Sequence, residues 1–344
     1  MAVSSTYAPA GAPRPVALPP GYGAMPAPAA SAVPAALAGA TMGTTWSARL
    51  ALPPGLAPAV ARAAIQQALD GVVAQMSTWD DASDLSRYNR AAQGWQTLPA
   101  DCFHVLRHAL RLAADTGGAY DPTVGPLVNA WGFGPPPHAS EPPAASAIDA
   151  LRQRCGWQRI RLDEPARRAW QPGGAYLDLS AIAKGYGVDR AARALDDAGV
   201  TRYLVEVGGE LRARGWRPDG RPWRVAIEVP DGSDDHALAL ALQGGGIATS
   251  GDYRRYRHAA GGRYAHTLDP RTGRPVDNGV ASVTVVHDEG CMQADALATA
   301  LTVLGEREGL AYARQHRLAA LFIVRDGTRL RLAASEAFAA LAAA

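Results

Sequence analysis

The sequence predicts an α+β fold with mostly antiparallel sheets and packed helices. Two observations carry that prediction. Segments of strand character outnumber those of helical periodicity, and the strands come in hairpin-like pairs interleaved with helices. Single strands alternating regularly with helices would instead have implied a doubly wound parallel sheet.

The chain opens with a stretch rich in Ala and Pro and almost free of charge. Repeated prolines forbid a continuous helix, and the stretch offers little to bury, so residues 1–40 are expected to form a disordered leader. One folded domain is then expected over 41–344. It begins at "TMGTTWSARLAL", whose β-branched and aromatic residues suit a strand. "APAVARAAIQQALDGVVAQMS" spaces its apolar residues as a helix does. "TWDDASDLSRYNR" is polar and reads as a loop with one helical turn, capped by Ser83 or Asp84. "DCFHVLRHALRLAADTGGAY" is a second amphipathic helix that stops at Gly117-Gly118.

"PPPHASEPPAAS" is a Pro-rich connection, expected to be the least ordered internal segment. "GWQRIRLDEPARRAWQPGGAYLDLS" alternates like a hairpin, and "AIAKGYGVDRAARALDDAGV" after it is helical. Strands follow at "RYLVEVGGELRARG" and "PWRVAIEVP". Two more, "GVASVTVVHDE" and "LAALFIVR", flank the helix "CMQADALATALTVLGEREGLAYARQH". The turns at Asp121-Pro122 and Asp269-Pro270 resemble each other only locally and indicate no repeat.

A chain of 344 residues can bury a substantial core. Its 34 basic and 32 acidic residues give +2, so no global field for nucleic acid or a membrane surface is indicated. Cys102, Cys155 and Cys291 are far apart, match no metal pattern and are expected as small buried residues. No basic start leads into an apolar run, no lipid-attachment Cys stands near Met1, and no stretch is apolar enough to span a membrane. The expected compartment is therefore the cytoplasm. The periplasm is the alternative if the start lies elsewhere or a leader was removed.

Lys184 is the only lysine in a chain that otherwise uses arginine. Either a compact ammonium is wanted there, or the position is chance. Asp295 and Thr299 stand four apart in "ADALATAL", on one face of a helix, and pair a carboxylate with a hydroxyl as a hard oxygen site would. The plainer reading of Asp295 is a charge favourable to the helix dipole. Asp178 reads as a strand-end cap or a ligand contact, and Ser180 as the cap of the helix it opens. His266 precedes the rigid turn "DPRTG"; a free imidazole, with pKa near 6.5, can act as a base close to neutrality. Arg271 in that turn is placed to pair with a phosphate.

The segments "MGTTW", "MSTWDDASDLSRYN", "GAYDPTVGPL", "LDLSAIAKGYGVDRAA", "VEVGGEL", "GIATSGDY", "HTLDPRTGRP" and "ADALATAL" follow one another between residues 42 and 301. This ordered set resembles the ApbE family of flavin transferases. The resemblance implies a two-lobed, T-fold-related enzyme with FAD in the cleft between its lobes. Its implied reaction is Mg²⁺-dependent transfer of FMN from FAD to a threonine hydroxyl of an acceptor protein, with release of AMP. The acceptor segment is of the type Asp-(Ser/Thr)-Gly-(Ala/Ser)-Thr. By resemblance Met42, Trp79, Ala119, Tyr120, Asp121, Asp178 and Lys184 contact FAD. The metal is assigned Asp295 and Thr299 as side-chain ligands, and Ala181 and Ala298 as main-chain ones. His266 is placed at the pyrophosphate, either taking the acceptor's proton or supporting transfer otherwise. Trp79 and Tyr120 depart from the family's usual Tyr and Phe, yet each keeps a ring. An FAD pyrophosphatase yielding FMN and AMP, and an FAD-binding protein without turnover, are the alternatives.

Overall fold

The computed structural model describes residues 3–6, 16–17, 32–136, 141–230, 236–253, 256–259 and 262–343. Its centre is a nine-stranded sheet, paired antiparallel throughout. In spatial order its strands are Val3–Thr6, Arg329–Ala334, Ala319–Asp326, Val280–His287, Gly246–Gly251, Glu210–Arg214, Tyr203–Val207, Thr44–Leu52 and Val33–Thr41. The α+β prediction is thus met.

Both faces of this sheet are covered, which the alternation along single strands makes explicit. In Ala319–Asp326, the side chains of Ala320, Phe322 and Val324 join a core with the helix Cys291–Gln315. Leu321 and Ile323 point the other way, into a core with Trp223, Val225 and Ile227 of a small sheet. Successive strand side chains face opposite sides, so an unbroken apolar run marks a strand buried on both. The helices Pro58–Met76, Ser180–Asp197 and Cys291–Gln315 lie on the first face. The small sheet of Trp223–Glu228 and His236–Leu242 lies on the second.

The helices Ser180–Asp197 and Cys291–Gln315 touch because Gly185 lacks a side chain. A Cβ there would overlap the Cys291 carbonyl oxygen and lie 2.7 Å from the Asp295 Cβ. Asp189, one turn further on, caps the second helix: its carboxylate accepts from the amides of Cys291 and Met292, each at 2.9 Å. Those amides are among the donors that a helix start leaves unpaired. Arg212 holds the same carboxylate at 2.6 Å.

Several expectations require correction. Val33–Thr41, which begins inside the expected leader and runs one residue past its end, is a strand paired along its length with Thr44–Leu52. The boundary set at residue 41 therefore falls at a hairpin turn, formed by Met42 and Gly43 at positive φ. Of the leader's earlier part, only the short strands Val3–Thr6 and Val16–Ala17 are described. The remainder lies outside the described residues, as do residues 137–140 of the Pro-rich connection. The hairpin read over 156–180 is confined to Leu162–Asp163 and Arg168–Gln171, joined by Gly94–Thr97. The helix after residue 290 is interrupted at Gly305, whose φ of 77° no interior helical residue adopts. Ser83, not Asp84, caps Asp84–Arg90, accepting from Ser86 at 3.0 Å. Cys102, Cys155 and Cys291 are free thiols; Cys102 and Cys291 are buried and Cys155 is half-buried. Among the described residues, no helix is long and apolar enough to cross a membrane.

Candidate functional site

A cleft of about 1740 Å³ opens where the starts of the Ser180–Asp197 and Cys291–Gln315 helices meet the strands Glu210–Arg214 and Gly246–Gly251. All of the site residues named from the sequence line it except Ala298 and Arg271. Ala298 is fully buried, and its carbonyl accepts a hydrogen bond from the Thr302 hydroxyl at 2.8 Å.

Asp295 lies at the floor, 3% exposed. Its Oδ2 accepts from the Gly185 amide at 2.9 Å, a bond made possible by the close helix contact. Burial raises its pKa, against the pull of Lys184 and of that amide. One turn along, the Thr299 hydroxyl shares a hydrogen bond with Ser250 at 3.0 Å. The Lys184 ammonium, part-exposed to the cleft, is ion-paired with Glu210 Oε1. Burial alone would lower the lysine's pKa, but Asp295 and Glu210 outweigh it and raise the value. Glu210 is buried, and its Oε2 has no hydrogen-bond partner among the described residues. Burial lifts its pKa to about 7; Lys184 opposes the shift and Asp295 adds to it.

The Asp121-Pro122 turn forms one wall. Asp121 accepts from the Thr123 amide at 2.8 Å, the Thr123 hydroxyl at 2.7 Å and the Trp157 amide at 3.1 Å. Burial raises its pKa and those bonds counter it. The Pro122 carbonyl accepts from the Asp178 amide at 2.8 Å, which ties this wall to the helix opening. There Asp178, rather than Ser180, supplies the side-chain acceptor: it takes the Ser180 amide at 2.8 Å, and Ser180 is the first helical residue. Tyr120 is buried with its hydroxyl lacking a hydrogen-bond partner among the described residues. Burial, then Asp295, Asp178 and Asp121, raise its pKa well above that of a free phenol. Ala119 and Ala181 complete this wall. At the mouth Trp79 is 59% exposed, and across it Met42 packs over Gly187.

His266 reaches the cleft from the far side, half-buried, with its ring edge-on to Phe133 at 6.4 Å between centroids. The turn after it is closed by Asp269, whose carbonyl accepts from Gly273 at 2.7 Å. Arg271 does not line the cleft; its guanidinium bonds the Asp269 carboxylate at 2.9 Å. The phosphate role considered for it is therefore filled by an internal ion pair.

Glu210, Asp189 and Ser250 escaped the reading of the sequence. Glu210 had a usable signal. The two-residue turn Gly208-Gly209 sets it opposite Val207, so it faces the same side as that buried valine.

Among the described residues no group of three or more His, Cys, Asp or Glu side chains is placed to hold a metal. A cation at Asp295 would instead be held by one carboxylate, hydroxyls and carbonyl oxygens. That is the donor chemistry of a hard ion such as Mg²⁺.

The model of the ApbE family matches residues 42–322. A protein of Vibrio cholerae named FAD:protein FMN transferase is 41% identical over 306 residues, covering 88% of this chain and 91% of that protein. One of the same name from Haemophilus influenzae is 39% identical over 312 residues, covering 88% and 90%. Among solved structures, the flavin transferase ApbE of Vibrio cholerae superposes with a TM-score of 0.83 at 39% identity, covering 90% of this chain and 99% of that one. The ApbE protein of Thermotoga maritima gives 0.82 at 29% identity, covering 89% and 98%.

Proposed function

The chain belongs to the ApbE family, and from that premise we propose that it transfers FMN from FAD to a threonine hydroxyl of an acceptor protein, with Mg²⁺ and with release of AMP. One observation carries the reading: a buried carboxylate, a half-buried hydroxyl one helical turn on, an ion-paired lysine and a histidine all line one cleft. Storage of FAD needs no such convergence.

The acceptor's Oγ attacks the flavin-side phosphorus, the bond from that phosphorus to the bridging oxygen breaks, and AMP leaves. His266 takes the hydroxyl proton, for which a neutral imidazole suffices. Mg²⁺, when bound, neutralises pyrophosphate oxygens and so eases departure of AMP. Asp295 and Thr299 would hold it, with Ala181 offering a carbonyl oxygen; the Ala298 carbonyl, away from the cleft lining and bonded by Thr302, is not counted among the ligands. Gly185 fixes the Asp295 carboxylate, and Ser250 orients the Thr299 hydroxyl. Lys184, held by Glu210, supplies a positive charge for phosphate or flavin oxygens. Trp79 and Tyr120 offer rings to the flavin or adenine, Met42 and Ala119 apolar surface, and Asp121 and Asp178 fixed acceptors.

The test is intact mass spectrometry of an acceptor protein bearing an Asp-Ser-Gly-Ala-Thr segment, incubated with this protein, FAD and Mg²⁺. The expected result is a mass increase matching FMN, absent without metal and absent when the threonine is replaced by valine. Free FMN and AMP without an adduct would make the protein a hydrolase. Neither product would leave it an FAD-binding protein.

A further inference from the structure

Among the described residues the strand Trp223–Glu228 is paired with one other strand, His236–Leu242, and all of its residues line the cleft. One face, Trp223, Val225 and Ile227, is buried against the large sheet, while Arg224 and Ala226 face outward. Along the unpaired side, the amides and carbonyls from Trp223 to Ile227 meet no hydrogen-bonding partner among the described residues. An open edge is a template for another strand, and proteins ordinarily cover or blunt one. Here it runs along a cleft of about 1740 Å³, larger than the roughly 300–1,000 Å³ typical of a site for one small ligand.

Charge narrows the choice of occupant. Arg224 on this strand and Arg49 of Thr44–Leu52 both line it, exposed, and neither has an acidic partner among the described residues. Arg217 nearby, by contrast, is paired with Asp219 at 3.0 Å. The strand also leads towards the reacting end. Glu228 accepts from the Tyr253 hydroxyl at 3.0 Å, and Tyr253 sits against Gly251, next to the Ser250 that bonds Thr299.

We propose that the open edge from Trp223 to Ile227 docks the acceptor: an extended, acidic, threonine-bearing segment adds to it as a further strand. Main-chain bonds to the edge hold the segment, Arg224 and Arg49 read its acidic side chains, and its threonine is delivered toward Thr299 and His266. At roughly 3.3 Å per residue, the strand offers about 20 Å of rail. The inference rests on the transferase reading of the same cleft.

An added strand bonds through alternate residues, so its signature has a period of two. The test uses the full-length protein with FAD and Mg²⁺ and a fluorescent acidic peptide centred on Asp-Ser-Gly-Ala-Val, which binds without accepting flavin. Its amides are N-methylated one position at a time and binding is read by anisotropy. Methylation at every second position should weaken binding about tenfold, with the positions between nearly silent. Arg224→Glu should weaken it similarly while leaving FAD affinity unchanged, and a peptide with Lys in place of Asp should recover part of the loss. Binding indifferent to N-methylation, or equally sensitive at every position, would overturn the proposal, as would an Arg224→Glu protein that binds normally. Alternating sensitivity with no flavin added to the threonine peptide would keep the docking edge and remove the transferase reading. Flavin transfer without alternation would do the reverse.

Discussion

The Gly185 amide donates to the Asp295 carboxylate at 2.9 Å, from one long helix to the next. The bond aims the carboxylate into the cleft one turn before Thr299, and it exists because nothing separates the helices at Gly185. Asp295→Ala should abolish Mg²⁺-dependent turnover, a loss of more than about a hundredfold. Asp295→Asn keeps the volume and an acceptor for the Gly185 amide, so it should fold with a near-normal melting temperature and still not respond to Mg²⁺. Metal titrations of both variants, beside their thermal melts, make the check. Full activity in either removes Asp295 from the site.

The same contact distinguishes two glycines that stand only two residues apart on one helix. A Cβ at Gly185 would press on the Cys291 backbone and on the Asp295 Cβ at 2.7 Å, neither of which can move freely. A Cβ at Gly187 would meet the Met42 methyl at 2.7 Å, the far end of a flexible side chain. Gly185→Ala should therefore cost about 1–3 kcal/mol by overpacking. Gly187→Ala should cost clearly less, since Met42 can swing aside. Denaturant melts of both compare them directly; equal losses would refute the helix-contact argument.

Local rules reached much of this fold and site. Apolar spacing marked Pro58–Met76 and Ser180–Asp197 closely, and Gly117-Gly118 marked the end of the helix before them. Local rules failed where the deciding partner is distant. "VPAALAGAT" shares the leader's Ala-Pro composition and becomes a strand only through its pairing with Thr44–Leu52. Asp189 caps amides 102 residues downstream, which no capping motif spans. "TRLRLAAS" alternates arginine with leucine and hid a strand whose register is set by Ala319–Asp326. Arg271 suits a phosphate by residue type alone, but its partner is the carboxylate of Asp269, two residues before it in the same turn.

Asp189 should matter for stability without entering the chemistry. Its carboxylate serves the Cys291 and Met292 amides and Arg212 together. Loss of a capping side chain costs about 0.5–2 kcal/mol, and stranding a part-buried guanidinium adds to that. Asp189→Ala should lower the melting temperature by several degrees and leave FAD affinity, measured well below that temperature, within about twofold of the parent. Asp189→Asn, which keeps one acceptor, should fall between. A loss of FAD affinity without a loss of stability would place Asp189 in the site instead.

The Tyr120 hydroxyl is buried with no hydrogen-bond partner among the described residues. A buried polar group left unmatched costs about 1–3 kcal/mol. Tyr120→Phe should therefore raise the melting temperature of the protein without ligand. If a bound flavin nucleotide supplies the missing partner, the same change should weaken FAD binding by about fivefold or more. Opposite signs in the two measurements identify a hydroxyl kept for the ligand. A rise in stability with unchanged FAD affinity would reduce Tyr120 to a ring.

His266 stands apart from the carboxylate floor, on the chain segment leading into the Asp269–Gly273 turn, with Phe133 edge-on to its ring. Two roles predict different kinetics. A base for the acceptor hydroxyl acts only in the transition state, so removing it lowers kcat by about 10²–10⁴ with FAD affinity kept. A group that merely grips the pyrophosphate contributes to binding, so removing it raises the FAD requirement while saturating rates stay normal. For His266→Ala we expect the first pattern: FAD bound as tightly as in the parent by fluorescence titration, and FMN transfer nearly lost at saturating FAD. Normal turnover at saturation with weakened binding would assign His266 to binding and leave the proton's acceptor to be sought among the other groups of the cleft.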